Sequence, residues 1–277
     1  MSTDIHPLDS AVALVATGVP GQYQGQASQD YWNMVGPYGG ITAAALVQAM
    51  QQHPQCLGDP VSLTVNYAAA VGAGAFVIDA NPVRTNRSTQ HWLLTVKQAD
   101  EQGQLQVVTT ATAVTALRRQ TWSVTDAPMP CVAPSAEAVR VPPRVGGVEW
   151  INRYEMRFVD GIFPLKEDGA EHDSRSLLWV RDNPPRPLDF AALAAVSDVF
   201  FPRVWLRRAK RVPAGTVSIT VYFHAGREDL AAAGDGLLLA QARGQEFRNG
   251  FFDQSAQLWS ESGVMLATSH QIVYYKE

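Results

Sequence analysis

Two stretches of helical length are apolar on nearly every side. Residues 41–52 run Ile, Thr, Ala, Ala, Ala, Leu, Val, Gln, Ala, Met, Gln, Gln, and residues 190–200 open with Phe, Ala, Ala, Leu, Ala, Ala, Val. A helix without a polar face belongs inside a protein. After the first come four segments enriched in β-branched residues, at 62–69, 75–84, 89–99 and 105–116. After the second come four more, at 217–224, 237–247, 251–260 and 264–275. Their composition and the turn residues between them predict strands. Asp100-Glu101-Gln102-Gly103 and Glu261-Ser262-Gly263 stand in matching hairpin turns. Shorter strands are predicted at 30–35, 148–159 and 174–181, and Asp189 is placed to cap the second helix.

The two runs are copies. Val61-Ser62-Leu63-Thr64-Val65-Asn66-Tyr67 returns as Val217-Ser218-Ile219-Thr220-Val221-Tyr222-Phe223, 156 residues later (217 − 61). A second pair, 107–114 and 266–273, is offset by 159 (266 − 107). Neither spacing suits a solenoid or propeller, so one domain has been copied once. The expected boundaries are residues 1–125 for the first unit, a Pro-rich linker at 126–147, and 148–277 for the second. The fold class is α+β: two fused units, each an antiparallel sheet wrapped around a central helix. Joining the sheets edge to edge removes two exposed strand edges and leaves a crevice between the helices.

Composition narrows the functions. The chain of 277 residues has a formal net charge of −4, which gives no support for nucleic acid as a ligand. The densest basic cluster, Arg203, Arg207, Arg208, Lys210 and Arg211, reads as a solvated face. Cys56 and Cys131 are too few for a disulfide framework and too far apart for a CxxC motif, which points to a reducing, cytoplasmic setting. No run approaches membrane-spanning length. The histidines, His224 and His270 among them, are isolated, so no metal site is expected, and no dinucleotide fingerprint or nucleophile elbow occurs. With 17% charged residues the surface is poor in charge, and self-association as a homodimer or higher homo-oligomer is expected.

Function is sought where the copies differ. Asp198 stands on the apolar second helix, where the first has Ala49 if Val47 is matched to Val196. A buried carboxylate without partners costs several kcal/mol or shifts its pKa. The bland alternative is an exposed acid or a partner for Arg203. Gln271 replaces Thr112 and Thr216 replaces Pro60. Strand alternation sets Thr216, Ser218 and Thr220 on one face and Val217, Ile219 and Val221 on the other. A carboxylate, a hydroxyl and an amide are thus expected to converge on one water.

Several short motifs, in order along the whole chain, resemble those of the acyl-CoA thioesterase II family, in which two hotdog units are fused. Tyr38-Gly39-Gly40-Ile41 is similar to the family's entry to its first hotdog helix. Arg84-Thr85-Asn86-Arg87-Ser88 resembles its Arg-x-Gly-x-Ser turn, with Asn86 in place of glycine. Val196-Ser197-Asp198-Val199-Phe200-Phe201 resembles the segment carrying its catalytic aspartate. Thr216 falls at its threonine before Trp-Phe-His, here Tyr222-Phe223-His224, and Gln271 at its glutamine. The resemblance implies a double hotdog that hydrolyses acyl-CoA thioesters without a cofactor, through a water held by Asp198, Thr216 and Gln271. The backbone amides of Gly39 and Gly40 are candidates for the carbonyl oxygen. Arg84 and Arg87 are candidates for the CoA phosphates. The alternative is a non-catalytic acyl or acyl-CoA binding protein on the same scaffold. Hotdog dehydratases expect a histidine shortly after the aspartate, and Asp198 has none.

Overall fold

The computed structural model describes residues 5–141, 148–162 and 167–277. Among these residues the α-helices are α1 (Pro7–Ala11), α2 (Gly39–Gln52), α3 (Phe190–Val196), α4 (Arg203–Arg208) and α5 (Arg227–Ala233). In the first half the strands are β1 (Val15–Ala16), β2 (Gln22–Gln26), β3 (Asp59–Tyr67), β4 (Ala75–Thr85), β5 (Thr89–Ala99) and β6 (Leu105–Ala116). The second half has β7 (Val139–Arg140), β8 (Tyr154–Asp160), β9 (Ser176–Asp182), β10 (Ala214–Phe223), β11 (Leu238–Arg243), β12 (Phe247–Arg248), β13 (Phe251–Trp259) and β14 (Met265–Tyr275).

The predicted apolar helices are inside. Leu46, Val47 and Met50 of α2, and Leu193 of α3, are fully buried, and the two helices pack on each other. Asp189 caps α3, its carboxylate accepting from the Ala192 amide at 2.8 Å. All strands join one antiparallel sheet in the order β1-β2-β4-β5-β6-β3-β10-β14-β13-β11-β9-β8-β7, with β12 on β13. The halves meet at β3 and β10. There Thr220 lies opposite Thr64, Ser218 opposite Asn66 and Tyr222 opposite Ser62. Since 64 and 220 are equivalent positions, the junction has local twofold symmetry.

Both copies carry the same bulge. In β3 the register shifts between Pro60 and Ser62, and in β10 between Thr216 and Ser218. The extra residue, Val217, reverses the simple alternation. Thr216 pairs with Val273, and residues directly opposite share a face, so Thr216 lies on the inner face with Gln271 and Val273 rather than with Ser218 and Thr220. The matching of the last strands also changes. Leu63 pairs with Ala113 and Ile219 with Gln271, so the counterpart of Gln271 is Ala113, not Thr112. A one-residue slip changes the face of every side chain, which makes this correction consequential.

Other expectations are corrected locally. Residues 30–35 do not form a strand: a 3-10 turn occupies Gln29–Tyr31, and the Asn33 amide bonds Gly36 O at 2.7 Å to close a loop. Residues 149–153 are likewise a 3-10 turn before β8. Helix α3 ends at Val196, where the Ser197 hydroxyl bonds back to Leu193 O at 2.8 Å, so Asp198 sits in the turn beyond the helix. Arg203 is not on a solvated face. It is fully buried, with its guanidinium bonding Phe201 O, Ser174 O at 3.0 Å and Ser176 Oγ at 2.7 Å. Burial lowers its pKa to about 9. Arg207 and Arg208 lie nearer the surface and pair with Glu171 and Glu277.

The Pro-rich segment does more than connect, as far as residue 141. Trp259 and Trp179 donate their indole N–H groups to Ala127 O and Ala133 O, and Met129, Val132 and Ala138 pack on Leu177, Trp179, Leu237 and Leu239. It straps one face of the second half of the sheet. Residues 142–147 of the linker lie outside the described residues. No helix among the described residues is long and apolar enough to cross a membrane.

Candidate active site

A pocket of about 430 Å³ opens at the N-terminus of α2, between the halves. The first half contributes Tyr38, Gly39 and Tyr67, and the second Asp198, Thr216 and Gln271. Three elements bring the last three together: the turn after α3, the bulge of β10, and the neighbouring strand β14. Gln271 Nε2 donates to Asp198 Oδ1 at 2.8 Å, and Thr216 Oγ1 donates to Gln271 Oε1 at 3.3 Å. The amide of Gln271 thereby fixes the carboxylate and orients the hydroxyl. Asp198 makes no bond to Arg203, whose partners are backbone carbonyls and Ser176.

The two glycines are explained by close approach. A Cβ on Gly39 would stand 2.8 Å from Asp198 Oδ2 and 3.0 Å from the Tyr67 hydroxyl. On Gly40 it would stand 2.5 Å from Ala195 O. Neither space admits a side chain without movement. The Gly40 amide bonds the Asp198 carboxylate, so this free N–H of the helix start is directed at the acid. The Tyr67 hydroxyl donates to Gly39 O at 2.8 Å, and the Tyr38 hydroxyl donates to Ala195 O at 2.8 Å. Tyr38 also stacks on Trp150, with ring centroids 4.9 Å apart.

Burial pushes the Asp198 carboxyl up to about 7, against the opposing pull of the bonds from Gln271 and Gly40. Its open side faces the pocket, and the rest of its surroundings are protein. Burial, and then the Asp198 charge, raises the Tyr67 phenol well above its ordinary value. A carboxyl titrating near neutrality suits a general base.

Arg84 and Arg87 are not brought to this place. They lie at the β4–β5 hairpin, where Arg84 Nε bonds Asn86 Oδ1 at 3.1 Å, and neither lines the pocket. The base of that hairpin is tied to the far end of α2: Gln90 bonds Leu57 N and Gln55 O, just beyond the helix. A helix of 14 residues sets the two ends roughly 20 Å apart. His224 is exposed and bonds Thr268, and His270 is exposed too. The described residues contain no cluster of groups that could hold a metal.

Reasoning from the sequence missed Tyr67, Tyr38 and Gln254 among the pocket residues. The first had a signal, because the heptapeptides end in Tyr67 in one copy and Phe223 in the other. At the opposite end of the junction the counterparts of Thr216, Gln271, Val273 and Gln254 are Pro60, Ala113, Thr115 and Trp92. Trp92 is buried there, and its indole N–H bonds Thr115 Oγ1 at 3.1 Å.

Comparison with known proteins bears on the fold and the family. Family models for the acyl-CoA thioesterase N-terminal and C-terminal domains match residues 28–116 and 130–275. A hotdog-fold protein of unknown function from Alicyclobacillus acidocaldarius is 46% identical, with 99% of each chain covered and a TM-score of 0.90. An acyl-CoA thioesterase II from Mycobacterium marinum is 17% identical over 97% of this chain and 98% of its own, with a TM-score of 0.76. A dehydratase domain from Pseudomonas fluorescens is more distant, at 14% identity over 95% and 97% of the two chains and a TM-score of 0.55. No curated protein sequence matches. The fold is a hotdog fold, and the chain belongs to the acyl-CoA thioesterase family of paired N- and C-terminal domains.

Proposed function

We propose that this protein hydrolyses acyl-CoA thioesters, with each half a hotdog unit around its own helix and one working site at the N-terminus of α2. The observation that carries the reading is the Thr216–Gln271–Asp198 chain of hydrogen bonds at the wall of a pocket. With its own proton donated to Gln271, the Thr216 oxygen is left as an acceptor. A water can therefore donate one hydrogen to Thr216 and the other to Asp198. The water attacks the thioester carbonyl carbon as Asp198 takes its proton. As the tetrahedral intermediate collapses, the C–S bond breaks and the proton on Asp198 passes to the departing sulfur, giving a free acid and the CoA thiol. The Gly39 amide, at the first turn of α2, serves the oxygen that gains charge, while the Gly40 amide holds Asp198.

A thiol-release assay across short, medium, long and aromatic acyl-CoAs tests the proposal. Turnover of at least one class, abolished by Asp198→Asn, is the expected result. Tight binding of acyl-CoA with no thiol release would leave a binding protein in place of an enzyme.

A further inference from the structure

Gln254 is a buried amide that the proposed mechanism does not use. It is 3% exposed, lines the pocket, and lies directly opposite Gln271 in the β13–β14 register. Among the described residues no group hydrogen-bonds its side chain, whereas Gln271 beside it is engaged at both amide atoms. Its polar atoms are not sealed inside the protein and open on the pocket, which makes the amide a place for a ligand or water to bond. The duplication sharpens the contrast. The matching position in the first half is Trp92, whose single polar atom is satisfied inside the protein.

The place of Gln254 in the pocket decides what it meets. Strands β10, β14 and β13 are consecutive in the sheet, so Gln254 is one strand further from Thr216 than Gln271 is. One strand spacing is about 4.8 Å, the reach of roughly three covalent bonds. The same pocket is lined by Phe200, Phe201, Trp205, Phe252 and Val273, apolar side chains suited to an acyl group. The other side of the pocket, with Met34 and Ala69, is open to solvent.

We propose that Gln254 is a specificity-determining residue that bonds an oxygen carried by the acyl group about two or three carbons from the thioester carbonyl, and so favours hydroxyacyl or oxoacyl over plain acyl chains. Its amide can donate to an oxo group, and can both donate to and accept from a hydroxyl. A site that hydrogen-bonds a substrate hydroxyl discriminates strongly against the analogue without it, because the amide is then left unpaired. The inference rests on the thioesterase reading for its substrate class.

The test compares 3-hydroxybutanoyl-CoA with butanoyl-CoA, using the native protein and Gln254→Leu. The native protein is expected to favour the hydroxylated substrate in kcat/KM by roughly tenfold or more, and Gln254→Leu to bring the ratio near one while still turning over butanoyl-CoA. Gln254→Met, flexible and of similar length, repeats the measurement if the leucine variant folds poorly. A ratio that is the same in native and variant proteins overturns the inference, as does a native preference for butanoyl-CoA. Non-hydrolysable thioether analogues of the two substrates, compared by calorimetric binding, apply the same ratio criterion without turnover. If the native protein releases no thiol from any class of acyl-CoA, the thioesterase reading alone is refuted, and the binding ratio still decides the role of Gln254.

Discussion

The hydroxyls of Thr64 and Thr220 meet at 2.9 Å across the seam between the two halves. They are the same residue of the duplicated heptapeptide, so the contact marks the local twofold axis that relates the copies. The helix and the strands that flank the seam on one side of this axis have counterparts on the other. The pocket with Asp198 lies at one end of the seam, and at the other end Trp92 is buried.

This contact gives a stability prediction. Thr64→Val leaves the Thr220 hydroxyl without its partner and is expected to lower stability by about 1 kcal/mol. Changing both to valine keeps the shape and suits a strand, so the double variant should recover most of the loss. Urea unfolding of the two single variants and the double variant measures the coupling.

Asp198→Asn retains the size of the acid and removes its charge. Turnover is expected to fall by roughly 10²–10⁴-fold. Thr216→Val and Gln271→Leu should lower it too, with combined effects smaller than the sum because the three groups act on one water. Steady-state thiol release reads all of these.

The raised pKa of Asp198 sets the pH dependence. The base form increases with pH, so kcat/KM should climb and level off above about 7. The Gln271 bond is one of the contacts holding this pKa down, so Gln271→Leu should move the inflection upward in whatever activity remains. A downward movement would contradict the hydrogen-bond account.

Stability follows from the same carboxyl. The folded protein keeps its proton up to about 7, whereas the unfolded chain releases it near the ordinary value of 3.8. Its contribution is therefore present below the unfolded pKa and lost as pH rises through 7. The melting temperature of the native protein should fall relative to Asp198→Asn between pH 4 and 8. Calorimetry of both proteins across that range checks the sign.

Arg203 anchors the chain after the site. Its guanidinium serves the carbonyls of Phe201 and Ser174, and Phe200 and Phe201 line the pocket. Arg203→Met would leave those carbonyls buried without a donor, at a cost of roughly 2–4 kcal/mol. Denaturant unfolding is the measurement. By contrast, Arg84→Ala and Arg87→Ala, at the far end of α2, should leave kcat/KM within about twofold.

The sequence by itself determined the two apolar helices, their eight following strands and the duplication, because burial on every side and strand composition are local properties of the chain. It also pointed to Asp198, since an acid in an apolar run has to be explained by something outside that run. The faces were decided elsewhere. Whether Thr216 looks inward depends on the bulge at Val217, and whether Gln271 matches Ala113 or Thr112 depends on pairing with distant strands. Neither leaves a mark on local composition, because register is a relation between segments. The end of α3, the burial of Arg203 and the distance of Arg84 and Arg87 from the pocket were settled likewise by contacts across the fold. Tertiary structure alone set the roles of the matching positions Trp92 and Gln254: contacts across the fold bury the first inside the protein and leave the second lining the pocket.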